Sequence, residues 1–252
     1  MKHRIITAAI AATASQLCAQ ESDAKRMGAE EMNPGSTLSC LQRIGGGAFK
    51  VLVYGNSIAL HSPAPSIGWT GNWGMAASAR EKDFAHLLVA GLEERRGETA
   101  EFRIRNLAVL ERNYTTNLLE FADLADDVAW APDYVVIAIG ENVPHLDEAA
   151  EEDYTRFLVA LTRPLVESAK HPPVVLRAPF WSNKTKAACT KRAAEEVGAI
   201  FVDAAPLGDD PANKAIGLFE HRGVAGHPGD LGMRRLADLF LNAFSVATTE
   251  TP

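Results

Sequence analysis

The sequence predicts an α/β fold, a three-layer α/β/α sandwich around a mainly parallel five-stranded sheet. Three observations carry this expectation. Short apolar runs recur along the chain and stop at turn-forming residues. Stretches with the spacing of one helix face lie between them, and polar residues able to do chemistry follow the runs directly, where the loops of a parallel sheet gather.

Residues 1–19, MKHRIITAAIAATASQLCA, set Lys2, His3 and Arg4 before an apolar stretch from Ile5 to Ala14 and end on the small Ala19, which is the pattern of a signal peptide. The apolar part is far shorter than the ~20 residues that span a bilayer, so no membrane span is expected once it is removed. Export to the periplasm or outside the cell follows. Residues 20–47 read as a polar, glycine-rich leader without periodicity, and residues 48–248 as the folded domain. Gly45, Gly46 and Gly47 precede the first strand instead of following it, which argues against a phosphate loop.

The first strand is Phe49 to Tyr54, a buried run ending at Gly55. Further strands are expected at Phe102 to Asn106, Tyr134 to Ile139, Val174 to Ala178 and Ile200 to Val202. Phe84, Leu87, Leu88, Gly91 and Leu92 share one helix face, as do Tyr154, Phe157, Leu158 and Leu161, with Pro164 kinking or ending the second helix. Met233, Leu236, Phe240, Ala243 and Phe244 mark a last amphipathic helix that Asp230 is placed to cap.

At 252 residues, 47% hydrophobic and 23% charged, the chain has the make-up of one globular domain behind an export segment; disordered and collagen-like classes are excluded. A net charge of −7 with interspersed signs leaves no footprint for nucleic acid. If Cys18 leaves with the signal, Cys40 and Cys189 remain; an oxidising compartment would permit a disulfide, but their spacing does not show whether they meet. The seven histidines come without a HExxH or paired-cysteine pattern, so neither metal nor cofactor is expected.

Ser57 follows Gly55 and Asn56 just past the first strand, where a hydroxyl can be exposed, although a turn serine is the plainer reading. Asn142, after Gly140 and Glu141, can offer an amide to an oxyanion or simply bond its own loop. His227, before the last helix, can reach back to a serine as a general base, where an idle loop histidine is the usual case. The loop from His61 to Ala79 carries Trp69 and Trp73, which either line a pocket for a sugar ring or acyl group or pack as a lid; Trp181 allows the same two readings.

These residues, in this order, resemble the SGNH (GDSL) hydrolase superfamily from Phe49 to Phe244. Gly55-Asn56-Ser57 is similar to its first block, Gly140-Glu141-Asn142 to its Gly-x-Asn block, and His227-Pro228 to its histidine block. The resemblance implies a flavodoxin-like fold with Ser57 as nucleophile and first oxyanion N–H, Asn142 as side-chain donor and His227 as base. Asn56, Trp69 and Trp73 become candidate substrate contacts. The tryptophan loop resembles that of bacterial members that process carbohydrates.

The sequence departs from the family twice. No glycine follows Asn106 where the second block places one; Glu111 stands near that position, its backbone N–H a candidate oxyanion donor and its side chain able to crowd or recharge the site. The acid expected just before the histidine is Val224, leaving a backbone carbonyl, Glu220 or Asp203 to orient His227. Asp230 reads as a helix cap.

The function these features imply is an exported serine esterase that cleaves small acyl esters, O-acetyl groups on carbohydrates above all, with a small molecule or carbohydrate ester as its partner. Acyl transfer from the same acyl-enzyme and a noncatalytic carbohydrate-binding domain are the alternatives. A nucleotide-binding domain ranks last, because no GxGxxG follows the first strand.

Overall fold

Successive side chains of the strand Phe49–Gly55 face opposite ways, so Val51 and Val53 enter one apolar layer while Leu52 and Tyr54 enter another. A strand apolar on both faces must be covered on both. The computed structural model, which describes residues 40–115 and 123–249, does this with a six-stranded sheet.

The strands are β1 (Cys40–Ile44), β2 (Phe49–Gly55), β3 (Ala100–Asn106), β4 (Tyr134–Ile137), β5 (Val174–Arg177) and β6 (Ile200–Val202), in the order β1-β3-β2-β4-β5-β6. All neighbours are parallel except β1, which pairs antiparallel with β3 from Cys40↔Asn106 to Ile44↔Phe102. The sheet thus has one strand more than the five expected. The end of the supposed leader supplies it: Leu41 and Gln42 are buried while β1 satisfies the outer edge of β3. The connection from β1 to β2 crosses the start of β3 and depends on Gly47, where a Cβ would stand 2.1 Å from the Ala100 carbonyl carbon. The expected signal peptide and the leader up to residue 39 lie outside the described residues.

The helices are α1 (Phe84–Arg96), α2 (Ala108–Arg112), α3 (Asp123–Trp130), α4 (Glu148–Val166), α5 (Lys184–Val197), α6 (Ala205–Asp209), α7 (Arg222–Ala225) and α8 (Asp230–Thr249). Helices α1 and α8 cover the Val51 face, and α4 and α5 the Leu52 face. Asp83 starts α1 by accepting from His86 N at 2.8 Å, and Gly97 at φ +65° ends it. Pro164 falls in the last turn of α4, which stops at Val166. Helix α5 was not expected from the sequence: it buries Lys186, Cys189, Thr190, Ala193 and Ala194, a face of small and amphipathic residues with little apolar signal. Cys189 is a free, buried thiol. Asp230 opens α8, but its carboxylate accepts from Ser78 N at 2.8 Å, Ser78 Oγ at 2.7 Å and Lys82 Nζ at 3.0 Å, tying the loop before α1 to α8 instead of capping it. Among the described residues no helix is long and apolar enough to cross a membrane.

The chain leaves β2 for β3 on one side and later returns to β4 on the other, so the order reverses at β2. Such a switch point opens a crevice beyond the strands' carboxyl ends. On the Leu52 face, α3 is fixed to the sheet by Asp127, which accepts from Tyr54 Oη at 2.9 Å, Arg103 at 2.7 Å and the fully buried Arg105. Removing one member of a buried ion pair strands the other without water. Asp127→Ala is therefore expected to lower stability by about 3–5 kcal/mol, read as a fall in the urea midpoint.

Candidate active site

The loops after β2, β3 and β4 meet at this switch point. Gly55 closes β2 with space for no more than hydrogen, since a Cβ would lie 2.4 Å from that of Ala59. The chain then turns, Asn56 O accepting from Ala59 N at 2.9 Å and Leu60 N at 3.0 Å, which sets Ser57 at the crest. Its Oγ is 2.8 Å from His227 Nε2.

His227 is held from behind by α7. Its Nδ1 is 2.7 Å from Gly223 O, and because a carbonyl only accepts, Nδ1 carries the proton and Nε2 is left bare toward Ser57. Of the three orienting groups left open by the sequence, the backbone carbonyl takes the place; Val224 is a core residue, Asp203 is exposed and accepts from Ala205 N, and Glu220 is exposed. Trp181 packs edge-on against the imidazole at 5.0 Å between centroids and ties its own N–H to Gly226 O at 3.1 Å. Burial lowers the His227 pKa to about 4, with the His61 charge adding to the effect and the Gly223 carbonyl opposing it. The ring is neutral and able to accept a proton across the neutral range.

Glu111 changes the floor of the site. Its backbone N–H donates to Leu107 O at 2.9 Å inside α2, so it is not the oxyanion donor the sequence suggested. The side chain reaches inward, fully buried, and accepts from Gly140 N, from Asn142 Nδ2 at 2.7 Å, from Asn142 N at 3.4 Å and from Asn56 Nδ2 at 3.3 Å. Asn142 Oδ1 in turn accepts from Arg112 at 3.1 Å. Asn56 Nδ2 also donates to Glu141 Oε2 at 2.6 Å, while Glu141 Oε1 accepts from Arg177 at 2.7 Å and Phe180 N at 2.8 Å. Asn56 is accordingly a buried bridge between two carboxylates, not a substrate contact; its Oδ1 accepts from Ile58 N at 3.2 Å.

The two acids part company. Burial pushes Glu111 up to about 7, helped by the Glu141 charge, with the donated hydrogen bonds pulling the other way. Burial would raise Glu141 as well, but the Arg177 guanidinium and the N–H donors hold it below the usual range. Glu141 and Arg177 were not singled out in the sequence, although an arginine closing the apolar run Val174–Arg177 is a signal of a buried charge needing a partner.

The tryptophan loop is a wall. Trp69 is 3% exposed, packs with Met75, Ala215 and Val224, and donates to His61 O at 3.1 Å, which corrects its reading as a substrate contact. Trp73 is half-buried and donates to Ala77 O at 2.9 Å. A cleft of about 600 Å³ opens between Pro65–Gly68 and Leu218–His221. Among the described residues no group of three or more His, Cys, Asp or Glu side chains is arranged to hold a metal ion.

No family model and no curated protein matches the sequence. Solved structures do match its shape. A carbohydrate esterase family 2 enzyme with a carbohydrate-binding domain from Corynascus thermopiles (Myceliophthora fergusii) aligns at TM-score 0.52 and 16% identity over 82% of this chain and 68% of that one. A family two carbohydrate esterase from Cellvibrio japonicus aligns at TM-score 0.51 and 16% identity, covering 83% and 64%. The chain has the SGNH-hydrolase fold. A salicylyl-acyltransferase from a tetracycline biosynthetic pathway shares it at TM-score 0.50 and 13% identity, covering 80% of this chain and 55% of that one. This chain spans between 55% and 68% of the length of these three proteins.

The buried imidazole yields a direct test. Its folded pKa lies below the free value, so it protonates only as the pH falls through about 4. Nitrogen NMR is expected to show His227 neutral and protonated on Nδ1 at pH 6; an imidazolium there would contradict the geometry.

Proposed function

We propose that this protein is an exported serine ester hydrolase acting on small acyl groups, with O-acetylated carbohydrates as its substrate class. The observation that carries the reading is the 2.8 Å contact of Ser57 Oγ with a His227 Nε2 left bare by the Gly223 carbonyl, at the switch point of an SGNH fold. In the first step Ser57 Oγ bonds to the ester carbonyl carbon and its proton passes to His227 Nε2. The Ser57 N–H and the Asn142 amide receive the oxyanion. As the tetrahedral adduct collapses, the bond to the alcohol oxygen breaks and Nε2 returns the proton to that oxygen. Water then gives its proton to Nε2 and attacks the acyl-enzyme, and Ser57 leaves with the proton restored.

The imidazolium formed on the way faces a carbonyl dipole where a full triad offers a carboxylate. The carbonyl supplies the tautomer and the orientation, which are the larger part of the acid's role. The substrate class rests on the two carbohydrate esterases that share the fold, and export on the basic, apolar and small-residue pattern of residues 1–19.

A second reading, acyl transfer, has one observation in its favour: an acyltransferase shares the fold. In that case a sugar hydroxyl replaces water in the last step. Hydrolysis of p-nitrophenyl acetate and of an acetylated xylo-oligosaccharide by the mature protein is expected, and Ser57→Ala should remove at least ~1000-fold of it without changing the melting temperature. Acetate appearing on an added sugar instead of in solution would select transfer. Turnover that survives Ser57→Ala would overturn both.

A further inference from the structure

Glu111 sits where the chain departs from its resemblance, and its environment gives it work. We infer that Glu111 and Arg112 are positioning residues that clamp the Asn142 amide so that its N–H, and not its carbonyl, serves the oxyanion. This rests on the serine hydrolase reading above.

An asparagine amide can sit in two orientations related by a flip, and only one of them presents a donor to the reacting carbonyl. Here both ends are held. Arg112 has only protons to give, so the atom 3.1 Å from it must be the oxygen. On the other side Glu111 Oε2 receives Nδ2 at 2.7 Å, and as an acceptor it excludes the carbonyl. Nδ2 carries two protons, and Glu111 takes one of them. The remaining N–H is the one an oxyanion can use. Neighbouring residues of one short helix thus read the two ends of the same amide, and the pair takes over at the loop after β3, where a glycine N–H would otherwise be expected.

The inner oxygen of Glu111 is equally fixed. Oε1 accepts from Gly140 N, Asn142 N and Asn56 Nδ2, so the carboxylate has a donor for each direction it can offer. The charged and titratable groups around it are Glu141 with its partner Arg177 from β5, Lys186 from α5, Tyr154 from α4 and Arg112 beside it. Lys186 is itself occupied by Gly140 O at 3.0 Å and Val143 O at 2.6 Å. A proton added to Glu111 would oppose groups that all donate to its oxygens, Asn142 Nδ2 among them.

The isosteric change Glu111→Gln isolates this. The glutamine oxygen is drawn to the three donors at Oε1, which leaves its amino group facing Asn142 Nδ2. Two donors then oppose each other and Asn142 flips. For Glu111→Gln, kcat is expected to fall ~100-fold with KM within about twofold, as for loss of one oxyanion donor. Asn142→Ala should do the same, and the double variant should be no worse than either single one, because both remove one N–H. The wild type should also lose kcat as the pH drops below about 7, where Glu111 takes up its proton, and Glu111→Gln should not. A wild-type kcat in Glu111→Gln, or losses that multiply in the double variant, would overturn the clamp. If Glu111→Gln does not fold, the exposed Arg112→Ala decides: kcat should drop severalfold against wild type yet not on top of Asn142→Ala, and an unchanged kcat refutes the proposal. Absence of turnover in the wild type would fail the hydrolase reading itself, a separate result from activity that ignores Glu111.

Discussion

The structure of the site depends on how two buried carboxylates are kept apart. Glu111 and Glu141 both leave the water, and an ionised carboxylate without partners in a protein interior costs several kcal/mol. Asn56 stands between them with one amide group donating to each. An aspartate there would add a third carboxylate where two already repel. The asparagine of Gly55-Asn56-Ser57 is thus matched to Glu111 and Glu141, to each of which its amide donates.

The same arrangement joins the chemistry to the frame. Arg177 closes β5 and neutralises Glu141; Glu141 takes Phe180 N; Asn56 precedes the serine; Glu111 and Arg112 hold Asn142. Each loop at the switch point is tied to its neighbour by a charged hydrogen bond, the stronger kind. Electrostatic preorganisation of this sort avoids reorienting donors during reaction. On the opposite wall His227 is managed by packing and a carbonyl, with no acid hydrogen-bonded to it among the described residues, so its basicity is set mainly by burial.

Much of the fold was legible. The apolar runs located β2 to β6 within one or two residues at most ends, because strands buried on both faces leave continuous apolar stretches. β1 escaped notice because Cys40–Ile44, read CLQRI, neither alternates polar with apolar residues nor forms a continuous apolar run, and its place is fixed by the open edge of β3. α5 escaped because alanine, threonine and a lysine stem fill its buried face. Of the candidate residues, Ser57 and His227 stand 2.8 Å apart and Asn142 bonds to the Glu111 carboxylate, which also holds Asn56 beside the serine, whereas Asn56 and Trp69 are interior and the Glu111 N–H belongs to its helix.

What the sequence determined by itself was periodicity and order: that β2 to β6 are strands running parallel with helices between, and that a serine and an asparagine follow strand ends while a histidine precedes the last helix. Those are local properties, set by backbone geometry and the burial of neighbouring side chains. The direction of each polar side chain was decided only by the tertiary structure. Whether Glu111 offers its N–H or its carboxylate, and whether a carbonyl or an acid meets His227, depends on contacts between residues far apart in the chain, where burial and hydrogen-bond geometry choose among partners that local sequence leaves equivalent.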